Sequence, residues 1–215
     1  MRSTQTVWLA SYPRSGNTML RTVLWHCFGL RSASIYPSDL GSNRALENYV
    51  GHIEHGPDGR IRFPAGGLPL IKTHERPVDD SPTIYVVRDG RAACVSLWRF
   101  YDGEIPLDAV IEGRHRFGTW AAHVEAWDPW NRPSTLVLKY EDMRKDVTQV
   151  LPRISAFLQR DILKQKIPDR CTISQVDGRW VRGESDWTSS LPQDLLSRFN
   201  ALNHSVLVRA GYLSN

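Results

Sequence analysis

The stretch that decides the fold is residues 7–20, with the sequence VWLASYPRSGNTML. Its first four residues are apolar, which is typical of a short buried strand. Pro13 and Gly16 interrupt this pattern, and a helical run begins at Leu20. The stretch therefore predicts a strand, a tight loop and a helix. Such a loop makes an anion cradle, because the first N–H groups of the helix and its dipole both attract negative charge.

The loop carries side chains that suit an anion. Arg14 can form a forked pair of hydrogen bonds with phosphate oxygens, and Gly16 permits a close backbone approach. Ser15 and Thr18 offer hydroxyl groups. The spacing of a Walker A loop is absent. A Pro-Gly turn that merely starts a helix explains the same residues, so the loop alone leaves both interpretations open.

Length and composition predict one globular domain, residues 1–215, with 41% hydrophobic and 23% charged residues. The three cysteines, Cys27, Cys94 and Cys171, have no short-spaced pair. This argues against a disulfide framework or a zinc site and favours a reducing cytoplasm.

The charge pattern bears on the partners. The net charge of +4, without a basic stripe, suits one or two anionic ligands better than nucleic acid. No apolar run is long enough to span a membrane. We expect no secretory signal, because the polar residues 11–14 cut the first apolar run short.

Outward from this stretch, strand-like and helix-like segments alternate. The predicted strands are residues 7–10, 68–74, 83–87 and 135–140. The predicted helices are residues 18–29, 44–50, 91–100, 117–127, 147–159 and 192–210. This alternation predicts an α/β fold whose mostly parallel sheet is flanked by helices on both faces.

Chemically capable side chains follow the predicted strands. Arg14 comes after the first, His74 ends the second, Arg88 ends the third and Tyr140 ends the fourth. Ligands of parallel sheets bind beyond the carboxyl ends of the strands. We therefore expect these four side chains to share one crevice.

Three ordered blocks resemble the sulfotransferases that use 3′-phosphoadenosine 5′-phosphosulfate (PAPS). They are YPRSGNT at residues 12–18, IKTH at 71–74 and YVVRDGRAACVS at 85–96. Weaker similarity covers residues 118–127 and 138–143 and touches the tail at Arg182 and Gly183. The resemblance implies a P-loop-like PAPS-binding fold, with PAPS as the donor, 3′-phosphoadenosine 5′-phosphate (PAP) as the product and no metal.

Chemistry and resemblance together suggest the catalytic roles. An acceptor hydroxyl must lose a proton, and histidine is the side chain suited to that near neutral pH, so His74 is the predicted general base. Lys72 and Arg14 are expected to stabilise charge on the leaving phosphate. A histidine at a strand end is otherwise a structural residue, and exposed cations there are ordinary.

The resemblance also implies a nucleotide site. The phosphosulfate loop would comprise Arg14, Ser15, Gly16, Asn17, Thr18 and Met19. Arg88 and Ser96 would hold the 3′-phosphate, with Arg182 and Gly183 in a second segment, where Arg179 would assist. An ion pair between Arg88 and Asp89 is the alternative for Arg88.

Three departures from the family pattern stand out. Arg14 replaces a more familiar lysine, and Met19 replaces a tryptophan that lies against adenine in many members. Tyr140 or one of the eight tryptophans would then stack on the base. The glycine-rich tail with its closing lysine is altered, so the closure of the predicted loop at 168–190 over the nucleotide is open.

The acceptor side is less defined. Residues 36–69 and 101–116 are predicted acceptor loops. His123 and Trp127, one turn apart, either line the acceptor pocket or belong to the core. Glu141 and Asp142 are expected to orient backbone or cap a helix.

The leading prediction is sulfuryl transfer to a small hydroxylated or phenolic acceptor, or to an amine. The alternatives are a small-molecule or nucleotide kinase and a binding module for PAP without catalysis. The absent Walker A lysine argues against the first, and the pairing of Lys72 with His74 argues against the second. The oligomeric state stays open.

Overall fold

The computed structural model of the chain describes residues 5–178 and 186–214. Its sheet has the strand order β2-β3-β1-β4-β5, and every neighbouring pair is parallel. The strands are β1 (Val7–Ser11), β2 (Ala33–Ser34), β3 (Leu70–Thr73), β4 (Thr83–Val87) and β5 (Thr135–Lys139). The predicted α/β class and its parallel sheet are confirmed.

Helices connect and cover these strands. They are α1 (Asn17–Phe28), α2 (Arg44–Val50), α3 (Gly90–Phe100), α4 (Leu107–Ile111), α5 (Trp120–Trp127), α6 (Tyr140–Lys145), α7 (Leu151–Leu158), α8 (Arg170–Val176) and α9 (Gln193–Arg209). Short 3₁₀ turns lie at Asp39–Ser42, Val147–Gln149 and Thr188–Ser190.

Both faces of the sheet are buried, as strand β4 shows. Tyr85 and Val87 pack into a hydrophobic cluster that includes residues of α3, α5 and α9. Ile84 and Val86 point the other way, into a cluster that includes residues of α1 and α7. A strand buried on both faces must be continuously apolar, which explains the sequence TIYVV.

The position of β1 places the functional cleft. This central strand lies between β3 and β4. The chain runs from β1 to the β2 edge of the sheet and later crosses to β4. Parallel sheets bind ligands at such a switch point, beyond the carboxyl ends of the strands. The loop after β1 opens at this point.

Some irregular predictions need correction. Strand β2 was too short to show a pattern, and α4 and α8 lie in segments expected to be loops. Of residues 36–69, the described side chains that line the cleft come from Tyr36, Ser38 and Asp39. Farther along, Leu46 and Val50 are buried in a cluster with Ile173 of α8. This part of the segment is packed structure, and the acceptor role of residues 36–69 stays a prediction.

Candidate active site

A cleft of about 1060 Å³ opens at the carboxyl ends of the strands. It gathers side chains that the sequence places far apart. The predicted site residues in its lining are Arg14, Gly16, Asn17, Thr18, Met19, Lys72, His74, Arg88, Ser96 and Tyr140. The expected convergence of the strand ends is therefore what the structure shows.

The amino end of α1 forms a cradle at one side of the cleft. Gly16 precedes the helix with φ of 103°, a conformation that favours glycine, and no side chain caps the helix. The N–H groups of its first turn have no intrahelical partner. Ser15 adds a buried hydroxyl without a hydrogen-bond partner in the described chain. Such an arrangement suits an anionic group.

Tyr140 packs against the cradle from the opposite side. A β-carbon added to Gly16 would lie 2.4 Å from Cδ2 of Tyr140. The guanidinium of Arg88 lies over the same Tyr140 ring, 4.5 Å from its centre. Arg88 also donates through Nη1 to the carbonyl oxygen of Arg14 at 2.7 Å. Tyr140 therefore contacts both Gly16 of the cradle and Arg88.

Arg14 is held toward helix α3. Its Nε donates to Oγ of Ser96 at 3.3 Å, and its guanidinium lies 4.8 Å from the ring centre of Phe100. Asp89, the residue before α3, pairs with Arg91 at 2.8 Å. Arg14 therefore contacts both Ser96 and Arg88, which brings two cations and one hydroxyl together.

The side chain of Asn17 serves the fold. Its Nδ2 donates to the carbonyl oxygen of Leu9 in β1 at 2.8 Å. The amide is buried, which fixes the start of α1 against the strand. Any contact of Asn17 with an anion would therefore use its backbone N–H.

Lys72 is buried at the floor of the cleft. Its Nζ pairs with Oδ1 of Asp39 at 2.5 Å, and Oδ2 of Asp39 pairs with Arg21 at 2.6 Å. Burial lowers the pKa of Lys72, with Arg21 acting in the same direction and Asp39 opposing it. Burial raises the pKa of Asp39, but the two cations outweigh it and hold that pKa well below its usual range.

His74 has a defined tautomer. Its Nδ1 lies 2.8 Å from the carbonyl oxygen of Ser11, and a carbonyl can only accept. Nδ1 therefore carries the proton, and Nε2 keeps a lone pair. Burial, assisted by the charge of Lys72, lowers the pKa of His74 well below 6.5. The ring is thus a neutral base at neutral pH.

Aromatic rings surround His74. The ring of Tyr36 is stacked on it, and Phe117 meets it edge-on, both at 6.0 Å between centres. The Tyr36 hydroxyl accepts from the backbone N–H of His74 at 3.1 Å and donates to Oε1 of Glu75 at 3.0 Å. Arg116 pairs with the same carboxylate of Glu75 at 2.5 Å. These contacts fix the ring plane of the base.

His123 and Trp127 lie behind the strand end, in the core. His123 donates through Nε2 to the carbonyl oxygen of His74 at 3.0 Å and accepts at Nδ1 from the Tyr85 hydroxyl at 2.9 Å. Trp127 donates through Nε1 to the carbonyl oxygen of Glu75 at 2.9 Å. Both side chains are buried. Neither side chain is among the described lining of the cleft, and both hold the backbone of residues 74 and 75.

The carboxyl-terminal part of the site is described in part. The predicted Arg182 and Gly183, with Arg179, lie outside the described residues. Of the predicted closing segment 168–190, Pro168, Asp169, Ile173 and Trp187 line the cleft. Glu141 accepts from the backbone N–H of Asp89 and from the Tyr212 hydroxyl. It orients backbone, in agreement with the interpretation from sequence.

Several residues of the site escaped the sequence interpretation. Asp39, Tyr36 and Phe117 lie in irregular segments without a periodic pattern. The position of Arg21 within the apolar run of α1 could have indicated a buried ion pair, because a buried charged residue requires a partner.

Two features are absent from the described residues. No group of three or more metal-ligating side chains is found there. Equally, no helix in these parts of the chain combines the length and the apolar character needed to cross a bilayer.

The fold and cleft define an α/β protein with a P-loop-like nucleotide fold and an anion cradle after its first strand. The sequence profile described as "Sulfotransferase domain" matches residues 4–199. The chain belongs to this sulfotransferase-domain family.

Curated relatives are similar at a modest level. Sulfotransferase 1E1 of Homo sapiens is 24% identical over 182 residues, which cover 71% of this chain and 58% of the relative. Sulfotransferase 4A1 of Mus musculus is 26% identical over 172 residues, covering 71% and 59%. The match thus spans less than two thirds of the length of these relatives.

Solved structures share the fold. Mouse sulfotransferase SULT7A1 complexed with PAP has a TM-score of 0.60 and 20% identity, with 94% of this chain and 84% of that chain covered. Retinol dehydratase in a complex with retinol and PAP has a TM-score of 0.61 and 18% identity, with 96% and 82% covered.

Proposed function

We propose that this protein transfers a sulfuryl group from PAPS to a hydroxyl or amine of a small-molecule acceptor. The observation that carries the proposal is that a neutral His74 lines the same cleft as the uncapped start of α1 and the cations Arg14, Lys72 and Arg88. Membership in the sulfotransferase-domain family and the two PAP complexes with this fold support it.

The cleft fits a ligand with two separated anionic groups. The unpartnered Ser15 hydroxyl and the uncapped helix suit the 5′ group. Arg88 and Ser96, which both contact Arg14, suit the 3′-phosphate. Tyr140 and Met19 also line the cleft and offer apolar surface for the adenine. Arg182 and Gly183 would complete the nucleotide site.

Each residue then has a defined task. PAPS supplies an activated sulfuryl group, and its transfer leaves PAP. His74 accepts the proton of the acceptor at Nε2 while Nδ1 stays bonded to Ser11. Arg14 and Lys72 offset the negative charge that grows on the leaving phosphate, by analogy with phosphoryl transfer.

The acceptor would enter beside Tyr36 and Phe117, which flank His74. The ends of the segment 101–116, at Tyr101 and Arg116, also line this region. We also propose a cytoplasmic location, which the free thiols of the three cysteines support.

The test is calorimetric titration with PAP in the absence of metal. We expect micromolar binding by the wild type and a loss of about tenfold or more for Arg88→Ala, because a charge-assisted contact to phosphate disappears. Arg62→Ala is the matched control, since Arg62 is an exposed cation paired with Asp58. Transfer from PAPS to a phenol would then be measured. Binding without transfer to any acceptor would favour the binding module, and a tight complex with ATP and Mg²⁺ alone would favour the kinase.

A further inference from the structure

A cluster of buried charged side chains lies at the floor of the cleft. Asp39 bridges Lys72 at 2.5 Å and Arg21 at 2.6 Å, and the three side chains are at most 4% exposed. Arg21 continues the chain of contacts to Oγ of Ser32 at 2.8 Å and to Nδ1 of His52 at 2.7 Å. Both oxygens of Asp39 and all three guanidinium nitrogens of Arg21 therefore have partners.

The charge balance of the cluster is positive. One carboxylate stands between two cations, which leaves one net positive charge when His52 is neutral. Burial and the neighbouring Arg21 lower the pKa of His52 to about 4, so the imidazole is neutral at neutral pH. The same two cations keep Asp39 ionised. With its pKa held so low, Asp39 is a weak base and a poor proton acceptor, although it lines the cleft.

The backbone holds Asp39 in place. Asp39 begins the 3₁₀ turn Asp39–Ser42, in which Leu40 and Gly41 have φ of 61° and 63°. The Leu40 side chain is fully buried in the cluster beside α2. Lys72, the ion-pair partner of Asp39, lies in β3, between β1 and β2. The carboxylate is thus fixed from one element and the ammonium from another.

We propose that Asp39 is a positioning residue for Lys72: it fixes the ammonium at the floor of the cleft and keeps it charged for transfer. This inference rests on the proposed function. It gives Asp39 a part in the reaction through Lys72 and without contact to the donor or the acceptor.

The alternative is that the cluster only stabilises the fold. The two roles differ in their pH dependence. The titratable and charged groups that face Lys72 come from several elements: Asp39 from the 3₁₀ turn, Tyr36, Arg21 from α1, Arg14 from the loop after β1, His52 after α2 and His74 from the end of β3. Asp39 is the one carboxylate in this described set. Its removal would leave Lys72 beside Arg21 without compensation, and Lys72 would lose its proton at a lower pH.

The experiment compares wild type, Asp39→Asn and Asp39→Glu by PAPS turnover with a phenolic acceptor across pH. For Asp39→Asn we expect kcat to fall about tenfold or more, and the alkaline limb of the pH profile to move down by about one unit or more. Asp39→Glu keeps the charge and displaces it, so kcat should fall while the limb stays in place. Lys72→Arg, whose guanidinium keeps its proton, should abolish the limb and so identify it.

The controls separate positioning from folding. Asp58→Asn makes the same chemical change in an exposed ion pair and should leave kcat and the limb unchanged. A folded Asp39→Asn variant with a wild-type kcat and limb would overturn the positioning role alone. If that variant fails to fold, a wild-type kcat for Asp39→Glu would overturn it. A wild type that neither binds PAP nor turns over PAPS would overturn the proposed function, and this inference with it.

Discussion

His74 donates its Nδ1 proton to the carbonyl oxygen of Ser11, the last residue of β1, at 2.8 Å. Because the acceptor belongs to the main chain, no side-chain substitution at Ser11 removes it. The tautomer that leaves Nε2 free is therefore a property of the sheet itself.

Replacing the base should separate catalysis from binding. We expect His74→Ala to lower sulfuryl transfer about 10²- to 10⁴-fold, the range that general-base catalysis contributes. PAP affinity, measured by calorimetry, should change less than about threefold, since Nε2 acts on the acceptor. The control is His204→Ala, an exposed histidine on α9. Retained transfer in His74→Ala would contradict the assignment of the base.

The rate of sulfuryl transfer should begin to fall only at a pH below the ordinary pKa of histidine. The pKa of His74 is depressed well below 6.5 by burial and by Lys72, and the neutral ring is the active form. The rate should therefore stay level as pH falls through 6.5 and decline only below it. A profile of kcat/KM from about pH 5 to about pH 8 covers this range. A midpoint at or above 6.5 would show that His74 is not held as described.

Acid should destabilise the fold through two other histidines. Burial is the main cause that lowers the pKa of both His52 and His123 to about 4, against an ordinary value of 6.5. Their stabilising contribution is complete above 6.5 and is lost as pH falls toward 4. Each group can lower the free energy of unfolding by up to about 1.4 kcal/mol per pH unit.

Urea unfolding at several pH values measures this loss. His52→Gln should show a shallower decline than the wild type, whereas His204→Gln, altered at an exposed site, should show the same decline. An unchanged slope in His52→Gln would refute the explanation.

The cradle should not tolerate a side chain at Gly16. An added β-carbon would lie 2.4 Å from Cδ2 of Tyr140, at a backbone φ of 103°. We expect Gly16→Ala to cost about 1–3 kcal/mol of stability and to weaken PAP binding about tenfold or more, because Tyr140 and the start of α1 must separate. Gly59→Ala isolates the backbone strain, since Gly59 has φ of 74° and open space around it. Equal PAP affinity in both variants would argue against the cradle.

The bond from Trp127 to the Glu75 carbonyl should support catalysis. Trp127→Phe keeps an aromatic ring in the core and removes the N–H donor, at an expected cost of about 1–3 kcal/mol. We expect kcat to fall about tenfold and the KM for PAPS to change little, because the backbone beside His74 loosens. Trp8→Phe loses a comparable bond, to Asp79 outside the cleft lining, and should retain kcat. Equal kcat in the two variants would make the Trp127 bond purely structural.

Much of the fold was readable because buried parallel strands leave continuous apolar runs. The run at residues 83–87 predicted β4 with the observed bounds. The rule that ligands bind at strand ends then predicts that Arg14, His74 and Arg88 lie close together. The sequence did not predict the two-residue strand β2 or the five-residue helix α4, because such short elements depend on tertiary contacts rather than on periodicity.

The finer chemistry depended on three-dimensional neighbours. Helical spacing put His123 and Trp127 on one face of α5, but it could not tell whether that face meets a ligand or a carbonyl. Asp39 lies in a turn with two left-handed residues, and its distance from Lys72 along the chain hides their pairing. The tautomer of His74 likewise follows from a carbonyl that belongs to another strand.

The two side chains that bond the main chain of β1 have one more consequence. Asn17 binds the Leu9 carbonyl and His74 binds the Ser11 carbonyl, so the cradle and the base are both anchored to a single five-residue strand. Their spacing is thus set along β1, whereas Tyr36 and Phe117 orient the ring plane of His74. If the segment 101–116 contacts the acceptor as proposed, its variation would change which molecules are accepted while this anchoring to β1 is kept, and related chains with one frame would take different substrates.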